Sequence, residues 1–264
     1  MEEKHPSYPP VSQVIYILLL TFFLFSILTL VWSGHWGKWG LLLLETAIVI
    51  PPVIFLKMKR YDVKKTLRLK PVSLAALGVS FIIGIGLTLV TEEIDRLIQL
   101  FFPIPDFLWE NLVQSMTFQT PTELAVLILA VVVVAALGEE MLFRGLLQGA
   151  LEQSMDVTRA VMLTAFLFVA VHSNPWWLVE ILILGVLMGV LAWKSGSIFP
   201  GVVVHGVNNG LALVLMNTDI SSYEWLFYKN HVSPVWLVVG LGCVVGGFRL
   251  FYHLFEHKSI DFRV

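Results

Sequence analysis

Apolar residues along this chain do not alternate with polar ones. They run in long stretches broken by short clusters of Lys, Arg, Pro and Gly. A hydrocarbon core of about 30 Å needs about 20 mostly apolar helical residues to span it. Stretches of that kind predict helices over 14–33, 38–57, 72–92, 122–150, 158–173, 176–194, 198–217 and 234–255. An outer-membrane barrel would instead show segments of about ten residues with strict alternation. The expected fold is therefore all-α: a polytopic membrane helical bundle with about eight transmembrane helices, one integral membrane domain over 1–264.

Composition agrees with that reading and removes one class of partner. Hydrophobic residues make up 57% of the chain and charged residues 14%, against roughly 25% charged in soluble domains. A formal net charge of -2 lacks the basic excess that nucleic-acid binding requires, so no nucleic-acid partner is expected. The single cysteine, Cys243, cannot form an intramolecular disulfide. The first apolar run is too long for a signal-peptide core and lacks a small-x-small cleavage site, so it reads as a retained helix.

Charge sidedness tests the helix count, because a wrong count would scramble it. With the N-terminus inside, 14 of the 17 Lys and Arg residues fall in cytoplasmic segments, seven of them between Lys57 and Lys70. Lys38, Arg96 and Lys229 fall on the other side. Both termini are expected in the cytoplasm, and the basic stretch reads as a topology determinant. Between Glu92 and Glu123, a loop with Phe107, Trp109, Phe118 and several prolines is expected to lay a short amphipathic piece along the opposite interface.

Ionisable side chains within the bilayer cost several kcal/mol unless paired or wetted, which marks each one as a functional candidate. The fourth helix holds Gly138-Glu139-Glu140-Met141-Leu142-Phe143-Arg144, the fifth ends in Phe168-Val169-Ala170-Val171-His172, and the seventh holds His205-Gly206-Val207-Asn208-Asn209. Glu140 and Arg144, at i and i+4, share a face and are expected to pair. Glu139 stands about 100° round the helix without such a partner, free to act. His205 and Asn209 again share a face. At about 1.5 Å per residue, Glu139, His172, His205 and Asn209 lie roughly 10–21 Å from the cytoplasmic helix ends. That common layer, slightly toward the cytoplasm, points to one converging polar pocket.

A carboxylate and an imidazole can hold a water and take its proton for attack on a carbonyl. A second imidazole and an amide can stabilise the resulting oxyanion. The chemistry expected is peptide or ester hydrolysis by activated water, with Glu139, His172, His205 and Asn209 catalytic and Glu140 and Arg144 structural. Two histidines and a carboxylate are also three potential zinc ligands, so a zinc site of Glu139, His172 and His205 is the alternative to an enzyme without cofactors.

The three motifs, Glu139-Glu140-x-x-x-Arg144, Phe168-x-x-x-His172 and His205-x-x-x-Asn209, resemble those of the CAAX prenyl endopeptidase and bacteriocin-processing (CPBP, or Abi) family of intramembrane proteases. The resemblance covers roughly 120–217, the motif-bearing core. It implies a glutamate-dependent endopeptidase in which Glu139 and His172 activate water, His205 and Asn209 form the oxyanion site, and Glu140 and Arg144 are structural. Resemblance to the prenyl-processing branch implies catalysis without metal. The implied partner is a membrane-associated peptide or lipidated protein.

Other candidates take plainer readings. Glu45 and Glu180 are expected to face a pore or pair with polar neighbours. His253 and His257 sit at a polar helix end, and Trp32, His35, Trp36, Trp39, Trp176 and Trp177 look like interfacial belts. Gly185 and Gly189 suit close helix packing. A proton-coupled transporter and a non-catalytic immunity protein are the competing functions. With no organelle retention tetrapeptide at 261–264, a prokaryotic plasma membrane is the expected location.

Overall fold

The structure, a computed structural model, describes residues 8–32, 37–219 and 223–256. Lys4, His35, Trp36, His257, Lys258, Arg263 and the side chain of Trp32 lie outside the described residues. Ten helices are described: α1 (Val11–Trp32), α2 (Gly37–Met58), α3 (Val63–Thr66), α4 (Leu74–Gln99), α5 (Asp106–Met116), α6 (Pro121–Leu151), α7 (Val157–His172), α8 (Leu178–Ser195), α9 (Phe199–Met216) and α10 (Pro234–Glu256). A two-residue hairpin pairs Phe227 with Val232 and Tyr228 with His231 before α10.

Seven of these helices are long and apolar enough to cross a membrane: α1, α2, α4, α6, α8, α9 and α10. The eighth apolar helix, α7, has 16 residues. The bundle is the all-α polytopic architecture expected, with one span shorter than the rest. Successive spans alternate in direction, so Lys57, Lys64, Lys65, Arg159 and Lys194 gather at one end, here called the basic end. The hairpin, α5 and the C-terminus of α7 lie at the other. Arg68 departs from a purely topological role, because it is buried and its guanidinium bonds Glu152 and the Tyr8 hydroxyl.

Leu142, Phe143, Leu146 and Leu147 put α6 at the centre of the core. α10 and α9 pack on α4, α8 packs on α7, and α2 packs on α6. Residues such as Leu19, Phe23, Leu30, Val238 and Val245 remain exposed on the outside, as lipid-facing side chains must. Without a hydrophobic drive between helices in lipid, close approach depends on small residues. Gly185 and Gly189 follow this rule. A Cβ at Gly185 would lie 3.1 Å from the Ala165 Cβ, and one at Gly189 would lie 3.0 Å from Val161.

The tightest backbone approach joins α4 to α10. A Cβ at Gly86 would sit 2.6 Å from both the Cys243 Cβ and the Gly240 carbonyl oxygen. Gly86→Ala is therefore expected to lose about 1–3 kcal/mol through overpacking, seen as a lower thermal unfolding midpoint in detergent. Gly242→Ala, with no neighbour within 4 Å, should leave that midpoint in place.

Candidate active site

α6 does not wind uniformly. Ile128–Ala135 and Met141–Leu147 take the wider i→i+5 π form, while Ala136–Glu140 between them is α-helical. Such π segments are rare and concentrate at functional sites. The carbonyl of Val131, in the first segment, accepts a hydrogen bond from the Asn209 Nδ2 at 2.9 Å. α9 is thereby tied to α6 beside the motif residues.

Glu140 and Arg144 are completely buried and paired, with Arg144 Nη1 donating to Glu140 Oε1 at 2.6 Å. Arg144 Nη2 also donates to the Gly185 carbonyl at 3.3 Å, and the guanidinium carbon stands 4.1 Å from the centre of the Phe168 ring. Glu140 reaches α9 as well, since His205 Nδ1 lies 3.4 Å from its Oε1. The first residue of the Phe168-x-x-x-His172 motif thus has a physical job. Its ring meets Arg144 on its face and sits edge-on to His172 and His205, with centroids at 4.6 and 6.0 Å.

Glu139 points to the other side of α6. Its Oε2 lies 3.7 Å from His172 Nε2 and 3.9 Å from His205 Nε2. This oxygen is buried and has no hydrogen-bond partner among the described residues. His172 is oriented by its own helix, because Nδ1 stands 2.7 Å from the Phe168 carbonyl. A carbonyl oxygen only accepts, so Nδ1 carries a hydrogen and donates it to Phe168, which leaves Nε2 as the atom turned toward Glu139. A separation of 3.7 Å is too long for a direct hydrogen bond, and a water beside the two atoms can touch both.

Five expected residues, Glu139, Glu140, Arg144, His172 and His205, therefore form one connected group. Asn209 is not joined to it by any hydrogen bond among the described residues, and its amide is held by Val131 instead. Two further polar residues continue the α6 stripe at i+4 steps. Gln148 Nε2 donates to Glu152 Oε1 at 2.8 Å and to the Gly189 carbonyl at 2.9 Å, and Glu152 pairs with Arg68. The regular spacing 140, 144, 148, 152 was the sequence signal for this ladder. Glu45, on α2, is a carboxylate within electrostatic reach of Glu139, and its Oε2 is buried without a partner. Glu180 lies within electrostatic reach of Thr91 and Asn208, and Asn208 Oδ1 accepts from the Thr88 hydroxyl at 3.2 Å. His253 lies far along α10 against Glu256, both exposed.

Residues 121–211 match the family described as Rce1-like, type II CAAX prenyl endopeptidase. The match covers about a third of the chain and is a similarity to a family of CAAX-type proteases. The match is consistent with the CPBP family, and all three motifs lie within it. No curated protein and no solved structure matches the chain. The matched region runs from the start of α6 into the second half of α9, which is the segment that builds the carboxylate–imidazole group.

The buried pair in this core makes a prediction about folding. Glu140→Gln and Arg144→Met each leave one buried partner uncompensated, a loss of about 3–5 kcal/mol. The double variant Glu140→Gln/Arg144→Met should lose less than the sum of the two, measured as unfolding in detergent by denaturant titration.

Proposed function

We propose that this protein is an intramembrane endopeptidase that hydrolyses a peptide bond of a membrane-associated substrate, prenylated or amphipathic, using water activated by Glu139. One observation carries this reading. A buried carboxylate oxygen without a partner faces the Nε2 atoms of two histidines from two other helices, at 3.7 and 3.9 Å.

In the proposed reaction, water sits beside Glu139 Oε2 and His172 Nε2 and touches both. It gives up a proton to this pair as its oxygen attacks the substrate carbonyl. The oxyanion of the tetrahedral intermediate is met by an N–H of His205 and by the second amide hydrogen of Asn209, whose first is held by Val131. Collapse returns the proton to the leaving amine. Glu140 and Arg144 take no proton in this scheme and fix His205 and Phe168.

The same three donors, Glu139, His172 and His205, are the set that would hold a zinc ion, which would polarise the water directly. Among the described residues, no group of three His, Cys, Asp or Glu side chains is spaced to hold a metal ion. In this proposal the side chains themselves carry the proton transfers. The excess of Lys and Arg at the basic end supports placing that end, with both termini, in the cytoplasm.

Glu139→Gln, His172→Ala and His205→Ala should each abolish cleavage of a quenched peptide by protein in nanodiscs. Asn209→Ala should slow it by about 10²–10³, the effect of one lost oxyanion donor. Cleavage by Glu139→Gln at the normal rate would end the proposal, and full biological effect from that variant would favour a non-catalytic binding role. Activity should survive a strong chelator. Loss on chelation with recovery on adding zinc would instead give the three donors to a metal.

A further inference from the structure

The segment that joins α2 to α4 sorts its side chains by charge. Lys57, Lys59, Arg60, Lys64, Lys65 and Lys70 are all exposed, while Leu56, Thr66, Leu67 and Arg68 are buried. Asp62 is the only acidic residue between Lys57 and Lys70, and its carboxylate accepts from the Lys65 backbone N–H at 3.1 Å to cap α3. Among the described residues, none of the six exposed cations has an ion-pair partner.

The backbone that carries these cations is fastened on its inner side. Arg60 and Arg68 take positive φ, 59° and 52°, and turn the chain after α2 and again after α3. The Tyr61 N–H closes α2 by donating to the Leu56 carbonyl at 2.9 Å. Leu67 rests on α6, where a Cβ at Gly145 would sit 2.7 Å from its carbonyl oxygen. The Arg68 carbonyl accepts from the Ile198 N–H at 3.1 Å, and the Lys70 carbonyl accepts from the Ser197 hydroxyl at 2.6 Å. The basic array is thus a fixed surface. Sidedness in a bilayer requires only that the charges be present, and sets no demand on how firmly they are held.

We propose that this surface binds the headgroups of anionic phospholipids in the leaflet at the basic end. Position names the occupant. α2 ends at Met58 and α4 starts at Leu74, and these side chains are 77% and 85% exposed. The cations therefore cluster at and between two apolar span ends, at the depth where lipid phosphates lie. Clusters of about 4–8 Lys and Arg beside a span suit anionic headgroups, and each cation near that surface strengthens binding roughly fivefold. A preset array also avoids the ordering entropy that a mobile loop would lose on binding. The proposal goes beyond the endopeptidase reading and does not depend on it.

The test uses full-length protein in detergent micelles doped with phosphatidylglycerol or phosphatidylcholine of the same chains. Lipid retained through gel filtration is counted by mass spectrometry. Wild type should retain phosphatidylglycerol at least about tenfold over phosphatidylcholine, the scale set by a few cations near a headgroup. Raising salt from about 0.1 M to about 1 M, which shortens the Debye length from about 10 Å to about 3 Å, should cut that preference to about twofold or less. The variant Lys57→Gln/Lys59→Gln/Lys64→Gln/Lys65→Gln should lose the preference, whereas Arg at the same four positions should keep it. Lys229→Gln, at the other end of the bundle, should keep it too. Equal retention of the two lipids by wild type, or a preference that neither salt nor the four Gln changes reduce, overturns the site. Inorganic phosphate at matched ionic strength should not displace the lipid, and displacement would overturn the lipid headgroup in favour of a soluble phosphate.

Discussion

A buried ion pair in lipid governs this structure. Glu140 and Arg144 have no exposed surface, and neither can be left uncompensated at that depth. Satisfying both requires α6 to turn one face toward α8, where the Gly185 carbonyl accepts from Arg144, and toward α9, where His205 meets Glu140. The approach is tight enough that a Cβ at Gly201 would sit 2.5 Å from Glu140 Oε2. Once that rotation is set, the preceding residue, Glu139, is turned about 100° away. It then faces the two Nε2 atoms. The structural pair and the proposed chemistry are thus consequences of one helix orientation.

Polar contacts extend this constraint in both directions. Toward the basic end the stripe continues through Gln148 and Glu152 to Arg68 and Tyr8. Toward the other end, Asn208 links α9 to Thr88 of α4, while its neighbour Asn209 links α9 to Val131 of α6. Two adjacent amides on α9 therefore tie it to two helices. A catalytic group held within fractions of an ångström needs supports of this kind, and here they come from a few residues that lipid forces to find partners.

The bundle and most of the site were legible in the sequence because a bilayer makes its demands visible. Runs of about 20 apolar residues predict the spans, and every expected helix overlaps an observed one. The i,i+4 spacing of Glu140 and Arg144 predicted their contact, and the lack of such a partner predicted that Glu139 would face elsewhere. Other features depend on tertiary context that spacing does not encode. The π segments of α6 have no marker in Ile128–Ala135, a run of plain aliphatic residues. Arg68 sits among lysines that serve topology, and only its burial beside Glu152 sets it apart. Glu45 comes within reach of Glu139 through the packing of α2 on α6, a pairing of helices that one sequence cannot reveal.

The central claim is that one carboxylate, Glu139, stands against the Nε2 atoms of His172 and His205. Imidazole ¹⁵N spectra of the histidine-labelled protein in nanodiscs test it without any substrate. Among seven histidines, Glu139→Gln should move the Nε2 resonances of His172 and His205 and leave the others in place. A Glu139→Gln spectrum in which neither of those two resonances responds would contradict the account.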